Sequence, residues 1–311
     1  MVTEAQSTLD PPPCHAVGHP LPNDAIYVGR DRLCGVPGEF LVVLCPACGL
    51  AGTSPRLVDE RLDAYYPASY PAYREPSERI GWRGRVGAAI DAARFSFTMR
   101  MAAFRPLVRR SSGRLLDVGC GRGELAAWFR SHGWSVAGVE PSAEACAQAV
   151  AAGIEMHCGT LDDVPWAAET FDAITFNHSL EHIPDPEAAL RQARELLAPD
   201  GLLIVSVPNF GCWQRRLFGS RWFHLDLPRH LQHFDRDSLT AMLRRAGLKP
   251  TTVHTSSSMV GLIGSLQYAL SGRSSLSDAA VFRLMHLTYP LVALSDLISQ
   301  GDCLHVAATR A

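Results

Sequence analysis

The feature that most constrains this chain is Asp117-Val118-Gly119-Cys120-Gly121-Arg122-Gly123, which follows the apolar run Leu115-Leu116 and precedes a helical pattern from Glu124 to His132. Glycines in a strand-to-helix turn let the backbone approach a ligand closely, and the helix start offers free amides. The turn suits a nucleotide-like cofactor. A dinucleotide fingerprint would need its third glycine five positions after the first, where this chain has Glu124, whose charge would repel a pyrophosphate. Glu140 ends the next apolar strand, where a carboxylate can take both hydroxyls of a ribose. Together these fit an adenosine whose far end is not a phosphate.

Around the turn, strand and helix patterns alternate. Strand-like runs occur at 115–118, 136–140, 154–157, 172–176, 202–207, 248–253 and 303–308, with helical patterns at 124–132 and 143–152. Such alternation predicts an α/β, Rossmann-like sheet of seven mostly parallel strands with helices on both faces. Residues 1–80, rich in proline, glycine and tyrosine, predict a small, irregular amino-terminal cap. Gly81 to Arg110 predicts a connecting helix, and 81–311 the main domain. The last two strands need only a hairpin, yet an apolar helical insertion, 256–300, separates them, with Met259–Leu270 and Ala279–Ile298 as its helices and Pro290 bending the second.

The 311 residues carry 29 basic and 31 acidic side chains, a formal charge of -2, which disfavours wrapping a nucleic-acid backbone. Of the basic residues only Lys249 is a lysine. Met1 to Asp10 has neither a basic nor an apolar leader region, and no apolar run reaches membrane-spanning length, so a cytoplasmic chain is expected. Nine cysteines make reduced thiols or a metal a better expectation than a disulfide framework.

At this point the sequence resembles the class I S-adenosylmethionine-dependent methyltransferases of the methyltransferase-23 type, from about residue 80 to 255 plus the last strand. The resemblance implies that the amino-acid part of the cofactor lies at Asp117, Gly119, Gly121 and Gly123. It places the ribose at Glu140 and Pro141, and the adenine beside Gly159-Thr160-Leu161-Asp162, with its amine read by Thr160 or Asp162. Phe171-Asp172-Ala173-Ile174, the run Asn177 to Pro186 and Leu196 to Gly201 resemble later signatures of the same family. Asn177 is expected to meet the cofactor from its strand end, and Glu181, His182 and Asp185 to form a hydrogen-bonded helix start rather than catalytic groups.

Trp222 to Phe234 resembles a subset acting on sugars and other small molecules, in which a histidine faces the acceptor. His230 is the first choice for a catalytic base and His233 the second, the alternative being a polar staple for an insertion loop. A hydroxyl acceptor stays protonated at neutral pH, and a histidine is the natural group to take its proton. Cys45-Pro46-Ala47-Cys48-Gly49 has the form of a zinc knuckle. Cys14 would begin a second, but Val17 stands where its partner belongs, so a missing ligand must come from His15, His19 or Cys34. Structural zinc on Cys14, Cys34, Cys45 and Cys48 and a vestigial module are both open. The other cysteines, Cys120, Cys146, Cys158, Cys212 and Cys303, read as small core or loop residues.

The expected activity is methyl transfer from S-adenosylmethionine to a small-molecule acceptor. A sugar of a glycan or nucleotide-sugar pathway comes first, and a phenol, quinone-type or lipid-linked acceptor second. A non-catalytic cofactor-binding module is the alternative of another class. The insertion would pack on the core, form a homodimer face or touch a membrane surface, leaving a monomer or a homodimer.

Overall fold

The computed structural model describes residues 24–57, 60–67, 70, 104–110, 112–273 and 278–311, with the side chains of Glu60 and 278–287 left aside. Cys14, His15, His19 and the expected connecting helix up to Ala103 lie outside the described residues.

The order along the chain is β1 (Ala25–Gly29), β2 (Phe40–Leu44), β3 (Ala51–Ser54), α1 (Glu60–Asp63), α2 (Arg105–Arg110), β4 (Gly113–Val118), α3 (Glu124–Ser131), β5 (Trp134–Glu140), α4 (Ala143–Ala151), β6 (Glu155–Cys158) and β7 (Phe171–Asn177). There follow α5 (Pro186–Leu196), β8 (Leu197–Pro208), α6 (Trp213–Phe218), β9 (Gln232–His233), α7 (Arg236–Arg245), β10 (Leu248–Ser256), α8 (Met259–Ser271), α9 (Asp278–Leu297) and β11 (Cys303–Arg310).

Seven strands form the main sheet in the order β10-β11-β8-β7-β4-β5-β6. In this sheet β11 alone runs opposite to the other six strands. Because both faces are covered, the central strands carry apolar side chains towards both faces rather than alternating. Leu116, Val118, Ile174, Phe176, Leu203 and Val205 point to one face and pack with α5 and α7. Leu115, Val136, Ala173 and Ile204 point to the other, against α2, α3 and Ala149 of α4. Asp185 caps α5 by accepting from the Ala188 amide, with Pro186 in its first turn, as the sequence predicts.

The chain leaves β4 for β5 and β6 on one side, then returns to β7 on the other. Strand order reverses there, opening a crevice at the carboxyl ends of β4 and β7, where ligands of such sheets bind.

The cap is more regular than expected. It forms an antiparallel sheet, β1-β2-β3-β9, whose last strand comes from beyond β8, pairing Ala51 with His233 and Gly52 with Gln232. Its alternating apolar side chains, Phe40 and Val42, need a cover, and Phe210, Trp222, Leu225 and Leu227 supply it. A second correction concerns Cys146 and Cys158, expected as separate small residues. Packing of α4 on β6 brings their Cα atoms to 5.9 Å, and they form a disulfide. In the insertion, α8 is largely buried, while Leu291, Leu294 and Leu297 of α9 stay exposed, and Pro290 lies inside that helix without ending it. Among the described residues no helix is long and apolar enough to cross a membrane.

Candidate functional site

Asp117 occupies the second-last position of β4 and is 2% exposed. Thr175 on β7 donates to its Oδ1 at 2.7 Å. Burial still raises its pKa to about 7, against the help of the Thr175 hydroxyl, with the Glu140 charge adding to the rise. The turn beyond folds back on β5, as the Gly119 and Cys120 amides both donate to the Val139 carbonyl. Gly119 has φ +71° and lies against Ser179, whereas at Gly121, φ +52°, an added Cβ would meet no atom within 4 Å. Gly121 is thus the open face of the turn. Its amide donates to Glu140 Oε2 at 2.9 Å, and the Ser142 amide donates to Oε1 at 2.9 Å. The carboxylate that ends β5 is held by two backbone donors, each oxygen keeping accepting capacity for a ligand.

A cavity of about 570 Å³ opens over this turn. Asp117, Gly119, Gly121, Asn177 and His230 line it together, five of the residues singled out in the sequence. Glu140 braces the wall through Gly121. Gly123 caps the start of α3 just behind the turn, with φ +79°. Pro141 and the turn of Thr160, Leu161 and Asp162 are not on the wall of this cavity; they lie after β5 and β6 at the same edge of the sheet.

The other wall is built from histidines and carboxylates. His178 follows β7 with φ 55°, and its Nδ1 lies 3.5 Å from Glu181 Oε1. Glu181 is 1% exposed, and among the described residues neither of its carboxylate oxygens finds a hydrogen-bond donor. His182 Nδ1 lies 3.0 Å from the Tyr66 hydroxyl and 3.1 Å from the Arg229 carbonyl. So Glu181 and His182, expected only to shape a helix start, also line the cavity.

His230 Nδ1 lies 2.9 Å from the His224 carbonyl. A carbonyl can only accept, so Nδ1 carries the proton and Nε2 is left as the acceptor. Nε2 lies 3.9 Å from both Glu181 Oε1 and Asp226 Oδ2. Burial, with the nearby histidines adding to it, lowers the pKa of His230 well below the usual histidine value, so the ring is neutral at neutral pH.

His233, the second choice for a base, does not line the cavity. It belongs to β9, where its Nε2 lies 3.0 Å from Thr53 Oγ1 and its ring packs on Phe210. Burial takes its pKa down to about 3. The Thr53 hydroxyl donates in turn to the His230 carbonyl at 2.6 Å. His233 therefore staples the cap to the segment that carries His230.

Arg229 performs the same task with charge. It is fully buried and donates to Asp31 and Tyr65 of the cap as well as to Asp226. His224, also on the cavity wall, lies 3.2 Å from Asp302, and the Ser258 amide donates to the same carboxylate. His178 was within reach of sequence reasoning, since it follows Asn177 at a strand end. His224, Asp226 and Arg229 lie in the Trp222 to Phe234 run without being singled out there, and Asp302 carries no sequence signal, because partners such as Arg229 and Asp31 stand 198 residues apart.

Cys45 and Cys48 form the expected turn, closed by the Gly49 amide donating to the Cys45 carbonyl at 2.9 Å, with Gly49 at φ +73°. Among the described residues, no group of three metal-ligating side chains contains Cys34, Cys45 or Cys48. Cys14 lies outside the described residues.

The family profile described as a methyltransferase domain matches residues 90–253, just over half of the chain. The chain is 32% identical over 149 residues to a ubiquinone biosynthesis O-methyltransferase of Cereibacter sphaeroides, covering 44% of this chain and 60% of that protein. It is 30% identical over 147 residues to a protein of the same description from Coxiella burnetii, covering 43% and 63%. The match thus spans less than two thirds of these relatives. Among solved structures, a geranyl diphosphate C-methyltransferase of Streptomyces coelicolor aligns over 77% of this chain and 87% of its own, with 17% identity and a TM-score of 0.49. A turn open at Gly121, a braced carboxylate at Glu140 and a family match across both support one conclusion: the chain belongs to the class I S-adenosylmethionine-dependent methyltransferases.

Proposed function

We propose that the protein transfers a methyl group from S-adenosylmethionine to a hydroxyl of a small-molecule acceptor seated between the cap and the main domain. The observation that carries this is the shared cavity, in which the glycine turn and a neutral His230 face the same space. The residues fit the cofactor. The open face at Gly121 admits its amino-acid part, Asp117 suits its ammonium, and Glu140 retains accepting positions for the ribose hydroxyls. Thr160, Leu161 and Asp162 would frame the adenine, with Pro141 and Asn177 beside the ribose and the methionine part.

When bound, the cofactor supplies a methyl group on a sulfonium, which leaves as a neutral thioether. The chain has then to hold the acceptor oxygen in line and take its proton. His230 Nε2 is placed for that proton because Nδ1 is already committed to the His224 carbonyl. His178, beside Glu181, is a neighbouring group able to receive a proton.

For the acceptor, the names of the relatives support a phenolic or quinone-type hydroxyl at modest identity. The cysteine-bearing cap, through its resemblance to sugar-pathway enzymes, supports a sugar, and a lipid-linked acceptor is compatible with the apolar insertion. Calorimetric titration with S-adenosylmethionine and S-adenosylhomocysteine, followed by a labelled-methyl transfer screen over phenols and sugars, tests the reading. Absence of binding by either would overturn it.

A further inference from the structure

A second cleft, of about 640 Å³, lies between the segment after β1 and the carboxyl end of α8. Its walls carry Arg30, Arg32 and Arg273 together with Gly35 and Gly38 of the cap. Arg32 is anchored, its Nε donating to the Ser220 carbonyl at 3.4 Å and its Nη1 to the Gly272 carbonyl at 3.3 Å. Arg30 approaches the same spot, its Nη2 being 3.7 Å from where a Cβ on Gly272 would stand.

The charges there are not cancelled. Asp31 also borders the cleft, but it is 3% exposed and already accepts from the Leu33, Cys34 and Val36 amides and from Arg229. Glu39 is the other acid on the wall. Among the described residues, no carboxylate pairs within 4.0 Å with Arg30, Arg32 or Arg273. Burial lowers the pKa of Arg32, and the like charges of Arg30 and Arg221 lower it further. In a chain with a net charge of -2, this concentration of cations is local. Capping of the α8 carbonyls accounts for Arg32, but leaves Arg30 and Arg273 without a role.

The cleft adjoins the methyl-transfer cavity, since Arg32 borders the first and its neighbour Leu33 the second, with a water-sized void of about 10 Å³ between them. We infer that Arg30, Arg32 and Arg273 seat a phosphate or diphosphate group of the acceptor, whose hydroxyl-bearing end extends toward His230. The inference rests on the acceptor reading above and narrows it to phosphate esters. Guanidinium forks match phosphate oxygens two at a time. A nucleoside-diphosphate ester and a lipid phosphate present the same chemistry.

The test uses the full chain saturated with S-adenosylhomocysteine, titrated calorimetrically with inorganic pyrophosphate. The wild type should bind, more weakly as salt is raised, and the double variant Arg30→Gln/Arg273→Gln should lose at least about tenfold in affinity. The Arg30→Lys/Arg273→Lys variant should recover part of it, which separates lost charge from lost folding. Uridine diphosphate binding more tightly than pyrophosphate would assign a nucleotide-linked acceptor. Co-sedimentation with phosphatidylglycerol vesicles, lost in the Gln variant, would assign a lipid phosphate. No binding of pyrophosphate, or equal binding by wild type and the Gln variant, would overturn the site. Failure to bind S-adenosylhomocysteine would instead overturn the function on which it rests, and the two failures are read in separate titrations.

Discussion

The Gly121 amide donates to Glu140 Oε2 at 2.9 Å, so the carboxylate ending one strand is tied to the open glycine turn of its neighbour. A ligand that touches the turn at one end therefore meets the carboxylate at a fixed distance. Glu140→Ala should weaken S-adenosylhomocysteine binding about tenfold to a hundredfold, as expected for a charge-assisted contact of roughly 1.5–3 kcal/mol. Calorimetry reads this directly, and unchanged affinity would remove Glu140 from the ribose.

On the proposed placement of the cofactor's ammonium, Asp117 should make cofactor affinity depend on pH. Burial takes its pKa to about 7, so in the free protein it is substantially protonated near neutrality, and a cationic ammonium beside it favours the ionised form. Affinity should therefore rise as pH increases from 6 towards 8, with proton release on binding over the same range. In Asp117→Asn the dependence should flatten. A wild-type affinity independent of pH would place the ammonium elsewhere.

Acid should destabilise the fold through its buried histidines. Burial lowers the pKa values of His233 and His305 to about 3 and takes His230 well below the usual value. The unfolded chain binds protons near pH 6.5 that the folded one refuses, so stability is full above that pH and is lost as pH falls towards 3. Asp117 and Asp296, raised by burial, and His178, raised by Glu181 against its own burial, work in the opposite direction to the four lowered histidines His230, His233, His254 and His305. Urea midpoints should fall between pH 7.5 and 5, and less steeply in His233→Gln; constant midpoints would contradict burial of these rings.

Two glycines of one turn should respond differently to alanine. At Gly119 the new Cβ would collide with Ser179, beneath a left-handed φ of +71°, and the fold should lose stability. At Gly121 the Cβ has room, so the backbone strain, about 1–2 kcal/mol, is the main cost to folding, while cofactor binding should suffer because the methyl enters the cavity. Thermal melts and calorimetry on both variants would distinguish them.

Arg229 joins the cap to the main domain by donating to Asp31, Asp226 and the Tyr65 carbonyl. Removing it leaves two carboxylates in a buried place without their cation, and Arg229→Ala should cost about 3–5 kcal/mol. Limited proteolysis should then cut first in the cap. A variant as stable as wild type would show that apolar packing alone holds the two parts together.

The parts of the site legible in the sequence are those made by neighbours along the chain. The turn of Asp117 to Gly123 and the strand-end Glu140 are short-range patterns, because a strand, a glycine turn and a helix start are each specified locally. The regular cap escaped because its sheet is completed by Gln232 and His233, whose two-residue strand has no pattern of its own. The fate of His233 escaped for the same reason: pairing with Ala51 turns its ring to Thr53 and away from the cavity.

By itself, the sequence determined the seven-stranded α/β sheet and its glycine turn, since hydrophobic period and glycine placement are written in consecutive residues, and its resemblance to known methyltransferases implied the family. The tertiary structure alone decided which histidine faces the cavity, that Cys146 meets Cys158, and that Arg30, Arg32 and Arg273 converge on one cleft. Those outcomes depend on segments up to about two hundred residues apart being brought together by burial of a common core, a relation no local pattern encodes.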